Sequence, residues 1–378
     1  LALLVNKAYR FRLYPSKEQE ILIAKTIGSS RFVFNRFLSL WKETYKTTGK
    51  GLSFNVCSSH LTQLKKELEW LKEVDSHALQ SSLKNLVDSF DRYFRKQNEA
   101  PRFKNKRNNV QSYTTSIEKK NQNPEVSIAG NRLKLPKLGW VRFANSREVK
   151  GRILNATVRK TSSGTYFVSF LVETEVKDLP KTDSTIGIDV GLKDFAILSN
   201  GKVYKNPTFF RTLEEKLAKA QRILSRRQCL ATQQKRPLAE AKNVQKQRVK
   251  VTRLHEQIAN ARTDYLQKIT TEIIKNHDVI GIEDLNVSSM LKNQKLAKAI
   301  SEVSWSEFRT MLEYKAKWYG RQIIAVDPRH TSQKCYSCGH TAKENRQTQA
   351  AFICVSCGHS ENADINASRN IHELAISH

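Results

Sequence analysis

Four cysteines late in the chain have the spacing of a metal site. They form two C-x2-C pairs separated by fifteen residues: Cys335, Cys338, Cys354 and Cys357. Two such pairs can direct four thiolates at one tetrahedral Zn²⁺. Sulfur would fill every position, so we predict one structural zinc without an open position for catalysis. Exchange of a cysteine for His340 or His359 stays open, whereas disulfides are disfavoured because we expect a reducing compartment.

Three acidic residues lie at the ends of predicted buried strands or at the start of a predicted helix, and a carboxylate on a buried strand is costly unless it is paired or binds a metal. Asp189 and Glu283 follow the runs 185–188 and 279–282, which are typical of strands buried on both faces, and Asp364 begins a predicted helix. Three converging acids can hold two Mg²⁺ ions about 3.5–4 Å apart for the hydrolysis of a phosphodiester. Taken singly, each acid is equally well a turn cap, a solvated strand end or a helix cap. The prediction therefore depends on all three together.

The segments around these acids follow the element order of an RNase H-like fold. We predict three consecutive strands, a long helical region from Thr208 with a break near Pro237, and then alternating strands and helices. The ranges are strands at 185–190, 194–199, 202–204, 279–283 and 322–326, a helix over 305–319, and a last helix through Leu374. In such a sheet the first and fourth strands are neighbours and the last helix packs across them, which would bring the acids together.

The first half of the chain is predicted to combine helices with short antiparallel strands. Residues 5–14 alternate apolar and basic side chains, and Ser16 can cap a helix that begins at Lys17. Leucine stripes continue the helical pattern to about residue 98. Further strands are predicted at 126–128, 132–135, 140–143, 153–159 and 166–176, with a hairpin turn at 162–164. These strands predict a small antiparallel barrel, which the first strand could complete.

A large excess of basic residues predicts a polyanionic partner. The 378 residues include 65 Lys and Arg against 36 Asp and Glu, a formal net charge of +29. Such an excess destabilises a compact fold by self-repulsion, although a merely solvated basic surface is the alternative. A membrane role is disfavoured, because no apolar run reaches the roughly 18 residues of a spanning helix and residues 1–5 are too few for a signal-peptide core. We expect a cytoplasmic protein bound to nucleic acid.

Several segments together resemble the TnpB family, transposon-encoded nucleases related to the type V CRISPR effectors. The segments are YRFRLYP at 9–15, IGIDVG at 186–191, GIEDL at 281–285, TSQKCYSCG at 331–339 and NADINA at 362–367. The resemblance covers essentially the whole chain and is strongest from about residue 186 to residue 371. Many members have a second Asp where this chain has Asn362, which is not one of the three acids.

The resemblance implies an α+β multidomain chain: an RNase H-like RuvC domain with an inserted zinc ribbon, a small antiparallel β-barrel wedge domain and a helical recognition domain. The implied boundaries are 1–15 for the first wedge strand, 16–109 for the recognition domain, 110–180 for the wedge barrel, 181–330 for RuvC, 331–359 for the ribbon and 360–378 for the last RuvC helix. It implies a prokaryotic protein acting at the nucleoid, with a guide RNA derived from the transposon end. Double-stranded target DNA would be cut beside a short flanking motif at Asp189, Glu283 and Asp364, which hold two Mg²⁺ ions.

Two further sets of residues are candidates for nucleic-acid contact. The helical region after Thr208 presents a basic row that includes Arg226, Arg227, Lys246 and Arg248. In the recognition domain, polar side chains opposite the leucine stripe could read the flanking motif: Phe54, Ser58, His77, Gln80, Ser81, Lys84 and Asn85. Solvated helix faces are the alternative for both sets.

Three rival functions remain to be weighed. A DDE transposase shares the fold but orders its acids Asp, Asp, Glu, whereas this chain has Asp, Glu, Asp. A catalytically silent RNA-guided repressor would be indicated by loss of an acid, and all three are present. An actin-like ATPase has a first strand similar to residues 187–191, but it would need a second glycine-rich phosphate loop, which the sequence lacks.

Overall fold

Residues 2–108, 111–116, 126–206, 209–285, 290, 304–348 and 350–377 are described by a computed structural model. The chain divides into two units, one of Leu4–Glu175 and the other of Leu1–Leu3 with Val176–His378. No helix among these residues is both long enough and apolar enough to cross a membrane.

The helices of the first unit begin with a strong local signal. They are α1 (Lys17–Thr48), α2 (Phe54–Glu67), a 3₁₀ turn (Glu69–Lys72) and α3 (Ser76–Phe94). The hydroxyl of Ser16 accepts from the backbone N–H of Gln19, and the Gln19 side chain accepts from the backbone N–H of Ser16. This capping box confirms the predicted start of the first helix. Both leucine stripes pack into one core, in which Leu61, Leu79 and Leu83 are fully buried.

The strands of the first unit form an open sheet, so the predicted barrel is wrong. They are β1 (Ala2–Tyr14), β2 (Gln111–Ser116), β3 (Ser127–Ala129), β4 (Arg132–Leu135), β5 (Gly139–Phe143), β6 (Arg152–Lys160) and β7 (Tyr166–Lys177), in the order β2-β6-β7-β1-β5-β4-β3. The first strand, which was predicted to complete a barrel, lies between β7 and β5 in this open sheet, and β2 was not predicted. Ile23 and Ile27 of α1 and Ala78 of α3 join the apolar core of the sheet. Because helices cover that face, the sheet does not need to close on itself.

A five-stranded mixed sheet organises the second unit. Its elements, with a two-stranded ribbon ladder, are β8 (Thr185–Val190), β9 (Asp194–Leu198), β10 (Val203–Lys205), α4 (Phe209–Gln233), α5 (Lys242–Asn276), β11 (Val279–Glu283), α6 (Trp305–Tyr319), β12 (Gln322–Val326), β13 (Ala351–Ile353), β14 (Ser360–Asn362) and α7 (Ala363–Ile376). The order is β10-β9-β8-β11-β12. β8 pairs antiparallel with β9 and parallel with β11. The predicted contact between the first and fourth strands is therefore confirmed.

Two glycines allow the last helix to lie directly on the central strands. Gly187 of β8 and Gly281 of β11 are paired in register beneath α7. A Cβ at Gly187 would overlap the carbonyl oxygen of Ser368, and a Cβ at Gly281 would lie 2.7 Å from the Cβ of Ala375. The absence of these two side chains fixes how closely α7 approaches the strands.

Replacement of Gly187 by Ala should therefore destabilise the second unit. The new methyl group meets helix backbone, which cannot turn aside, and overpacking of this kind costs about 1–3 kcal/mol. Thermal unfolding followed by circular dichroism should show a lower Tm. Gly28→Ala is the matched control, because its Cβ would meet only the end of Arg31 at 4.0 Å. A Tm for Gly187→Ala no lower than that of the control would contradict the packing argument.

Candidate metal centres and nucleic-acid surfaces

The parallel pairing of β8 and β11 brings two of the three acids to one end of the sheet. Ile188 pairs with Ile282, so the next residues, Asp189 and Glu283, lie at the same end of adjacent strands. Asp364 lies in the first turn of α7, which packs on the same strands. The side chain of Asn362 caps that helix by accepting from the backbone N–H groups of Asp364 and Ile365 at 2.9 and 3.2 Å. The position at which many TnpB proteins have Asp is thus a helix cap in this chain.

The three carboxylates are close enough together for their charges to affect pKa values at the site. Burial raises the pKa of Asp189 well above its usual value, and the nearby charges of Glu283 and Asp364 raise it further. Burial also raises the pKa of Glu283 and of Asp364. A buried group of like charges is unfavourable unless cations join it. Charge and ligand chemistry therefore fit a hard divalent cation, for which carboxylate oxygens are suitable ligands.

Three neighbours of the acids escaped the sequence analysis. Arg346 pairs with Asp364 at 3.2 Å and lowers the pKa values of all three acids. The hydroxyl of Thr331 lies 2.6 Å from a carboxylate oxygen of Glu283. Asp194 is a fourth acid whose charge raises the pKa of Asp364. None belongs to a spacing pattern with the acids, so the sequence carried no local signal for them.

The separation of the acids differs from that of the cysteines. Among the residues that the structure describes, only the four cysteines form a group of three or more metal-ligating side chains whose ligand atoms all lie within 4.8 Å of one another. An open cleft of about 520 Å³ adjoins Glu283 and is lined further by Val190, Trp305 and Arg309. Glu283 therefore borders accessible space, whereas the four cysteines form the more compact group of ligand atoms.

The four sulfur atoms have the spacing of a tetrahedral site. Cys335 Sγ lies 3.7 Å from Cys357 Sγ, and Cys338 Sγ lies 3.6 Å from Cys354 Sγ. A tetrahedron with zinc–sulfur bonds of about 2.3 Å has edges of about 3.8 Å. The backbone N–H of Cys357 lowers the pKa of Cys354 to about 6, although burial raises the pKa of Cys335. The predicted cysteine cluster is confirmed, and its geometry fits a tetrahedral ion.

A buried asparagine joins the two cysteine loops. The backbone N–H of Cys335 donates to the carbonyl of His340, and that of Cys354 donates to the carbonyl of His359, so the loops are equivalent. Fully buried Asn345 donates to the His340 carbonyl at 3.1 Å and accepts from the Val355 backbone N–H at 3.0 Å. Both loops are therefore held at the cluster by main-chain contacts as well as by sulfur.

The candidate readers of a flanking motif lie on α2 and α3 of the first unit. Gln80 donates to the Ser58 hydroxyl at 3.0 Å, which ties the two helices together. Ser81 and Asn85 line a cavity of about 310 Å³. Lys84 is exposed, His77 is half-buried, and Phe54 packs partly against the helical core. The structure thus brings these side chains to neighbouring turns of α2 and α3.

The basic row of the second unit lies on α4 and α5. Arg226, Lys246 and Arg248 are exposed. Arg227 instead donates to the carbonyl of Asn243 at 3.0 Å and lies 3.3 Å from the side-chain oxygen of Gln247. It therefore helps to hold the two helices together, a role that the charge pattern did not reveal.

Three family models match parts of the chain. A Cas12f1-like TNB domain matches residues 305–371, a probable transposase of the OrfB type of IS605 matches residues 169–294, and a helix-turn-helix domain of the same type matches residues 5–50. The last range contains one strand and a single long helix in this chain, rather than two helices.

Two curated relatives extend over almost the full chain. InsQ of Escherichia coli K12, described as an RNA-guided DNA endonuclease, is 39% identical, with 98% of this chain and 92% of InsQ aligned. A protein of Streptomyces pristinaespiralis with the same description is 34% identical, with 97% and 89% aligned. A solved Cas12f1–sgRNA–target DNA complex contains a chain that matches with a TM-score of 0.63 at 15% identity, covering 98% of this chain and 99% of that one. That likeness shows the fold alone.

The two full-length relatives define a class, the RNA-guided DNA endonucleases. Within that class the chain belongs to the TnpB family of RNA-guided DNA endonucleases, which confirms the family expected from its motifs.

Asp189→Asn should stabilise the protein in the absence of added Mg²⁺. The raised pKa means that the folded state holds its proton to a higher pH than the unfolded state, so stability is lost as pH rises above about 4. The variant has no charge at this position and avoids this loss. Its Tm at pH 7.5 should exceed that of the parent by roughly 2–4 °C for each 1 kcal/mol by which the free energy of unfolding increases. Below about pH 4 the difference should vanish.

Calorimetry over this pH range provides the measurement, and Asp264→Asn is its control. Asp264 is exposed and pairs with Lys268 on the surface of α5. Its loss should change stability by less than about 1 kcal/mol at any pH. A variant at Asp189 that is no more stable than the parent at pH 7.5 would show that the buried carboxylate carries no electrostatic cost.

Proposed function

We propose that this protein is an RNA-guided endonuclease that cuts target DNA in a RuvC-type site built from Asp189, Glu283 and Asp364. The observation that carries the proposal is the convergence of three partly buried acids from two adjacent strands and the last helix. The names of the full-length relatives supply the substrate and the guide. The five-stranded sheet has the strand order expected for an RNase H-like domain.

The acids would hold two Mg²⁺ ions. Bound magnesium supplies Lewis-acid activation of a water molecule and stabilisation of the leaving 3′ oxygen. The role of the protein is to hold carboxylates at fixed positions in a partly buried site, where their repulsion favours cation binding. Arg346 partly neutralises this cluster from its position beside Asp364. Its guanidinium is also a group suited to the phosphate oxygens of a nucleic acid.

A structural Zn²⁺ is proposed for Cys335, Cys338, Cys354 and Cys357. The sulfur spacing supports this assignment, and four sulfur ligands leave no place for a reacting water. The ribbon would then hold Arg346 near the acids without taking part in chemistry itself.

A guide RNA and double-stranded target DNA are the proposed partners. The net charge of +29 supports polyanion binding. The first unit also stacks guanidinium groups on aromatic rings along its sheet, where Arg10 lies 4.0 Å from the Phe167 ring and Arg142 lies 5.2 Å from the Tyr14 ring. Arginine and aromatic side chains together suit unstacked bases and backbone phosphates. Family membership supports a guide RNA derived from the transposon end.

The finer assignments extend this proposal. The recognition domain at 16–109 and the split wedge at 1–15 and 110–180 would hold RNA and the flanking motif. Residues 181–330 and 360–378 would form the nuclease around the ribbon at 331–359. The motif readers would be Ser58, Gln80, Ser81, Lys84 and Asn85 with Phe54 and His77. Arg226, Lys246 and Arg248 would contact phosphates beside Arg227.

Cutting by the purified protein–RNA complex should follow the guide. When the guide segment is rewritten, cleavage mapped by sequencing should move to the new match. Asp189→Ala, Glu283→Ala and Asp364→Ala should each abolish cleavage while RNA and target binding persist. Because the acids act as one unit, the triple variant should be no worse than each single variant. Asp264→Ala on the surface of α5 should cut normally.

Three results would overturn this account. Cleavage that ignores the guide sequence, or that proceeds equally without RNA, would favour a DNA-binding transposase. Full cutting by Asp189→Ala would remove the site assignment. Guided binding without cutting by the parent protein would indicate the catalytically silent repressor.

The zinc assignment makes a separate prediction for the ribbon. Elemental analysis of the parent protein should find one zinc per chain. Cys335→Ser or Cys357→Ser should lose that zinc and unfold at lower temperature, because apparent binding in small zinc domains is on the order of 10–16 kcal/mol. Cys229→Ser is the control, since Cys229 is exposed on α4 and outside the cluster. Active protein with no zinc would refute the assignment.

A further inference from the structure

The loop between β12 and the first cysteine reaches back to a catalytic acid. Thr331 in this loop is 4% exposed, and its Oγ1 lies 2.6 Å from Glu283 Oε1. Glu283 is the last residue of β11 and is separated from Thr331 by the whole of α6 and β12. The contact therefore depends on the tertiary fold and not on local chain geometry.

The hydroxyl of Thr331 has one hydrogen and two acceptors within reach. The second acceptor is the carbonyl of Pro328 at 3.1 Å. A carboxylate that binds a cation is ionised and can only accept, so the single hydrogen is directed to Glu283 in that state. Hydrogen bonds to an ionised oxygen are stronger than those to a neutral carbonyl, so in that state the hydroxyl favours Glu283 over Pro328.

Two buried asparagines hold this loop against the last helix. Asn370 donates to the carbonyl of Thr331 at 2.9 Å and to that of Lys334 at 2.7 Å. Asn366, one helical turn earlier, donates to the same Lys334 carbonyl at 2.8 Å and accepts from the Tyr336 backbone N–H at 3.0 Å. Both side chains are fully buried. The backbone that carries the hydroxyl is therefore fixed to α7, the helix of Asp364.

We propose that Thr331 is a positioning residue that orients Glu283 for cation binding. The inference rests on the proposed metal site. By fixing one carboxylate oxygen, the hydroxyl selects one side-chain conformation of Glu283 before an ion arrives. The ion then meets an oriented ligand and does not have to order a side chain with three rotatable bonds. Groups that orient metal ligands in this way commonly contribute about 10–100-fold in metal affinity.

A purely structural role for Thr331 makes a different prediction. If the side chain only fills space or tethers the loop through Pro328, Thr331→Val should behave almost as the parent because valine has the same shape. If the hydroxyl orients Glu283, Thr331→Val should weaken cation binding, whereas Thr331→Ser, which keeps a hydroxyl, should preserve it. Thr341→Val is the matched control, since Thr341 is exposed in the same ribbon and its hydroxyl faces only the Gly339 carbonyl at 3.4 Å.

Cation affinity can be measured without cleavage. Mn²⁺, which replaces Mg²⁺ at oxygen sites, is titrated into the zinc-loaded protein–RNA complex, and free Mn²⁺ is followed by electron paramagnetic resonance. RNA alone gives the background. Thr331→Val should bind Mn²⁺ about 10-fold more weakly, while Thr331→Ser and Thr341→Val stay within about twofold of the parent. In a Glu283→Gln background, Thr331→Val should have little further effect, because its partner has changed.

Each remaining outcome decides against the inference. Parent-like Mn²⁺ affinity in Thr331→Val, an equal loss in Thr331→Ser, or an undiminished loss in the Glu283→Gln background would each overturn it. Loss of zinc or of the folded state in Thr331→Val would assign the residue to the structure of the ribbon. Failure of the proposed metal site is distinguishable, since Glu283→Gln itself would then leave Mn²⁺ binding unchanged.

Discussion

Mutual repulsion among carboxylates at one buried end of a sheet is the constraint around which the second unit is arranged. Asp189 and Glu283 are forced together by the parallel register of β8 and β11, and α7 brings Asp364 to the same place. Burial makes their charges costly, as the raised pKa of Asp189 shows. A fold retains such a cost where a cation or a substrate offsets it, and stability given up at a site of this kind is a common feature of enzymes.

Close packing of α7 on the strands and contacts from neighbouring side chains fix the positions of the three acids. Gly187 and Gly281 let α7 lie on the strands that bear two of the acids. The cysteine ribbon is inserted in the chain between β12 and α7. Arg346 of the ribbon pairs with Asp364, and Thr331 of the loop before the ribbon lies within hydrogen-bond distance of Glu283. The acid cluster and the cysteine cluster are therefore linked through protein contacts, although they differ in ligand chemistry.

Local patterns predicted the elements well, and long-range contacts remained hidden. Alternation, capping at Ser16 and strand runs ending in acids are short-range signals, and each corresponds to an observed element. The prediction of a barrel was wrong because closure of a sheet depends on what covers it, and here residues of α1 and α3 cover one face. The contacts of Thr331 and Arg346 with the acids were not predicted, because they depend on the tertiary fold and not on spacing in the sequence. Arg227 looked like part of a basic surface, yet it holds α4 against α5.

The position of the ribbon in the chain also sets the order in which the three acids leave the ribosome. Asp364 emerges after the cysteines, whereas Asp189 and Glu283 emerge long before them. A nascent chain therefore carries two acids without the third until the ribbon has been synthesised. The three acids can therefore converge only after both cysteine pairs have left the ribosome.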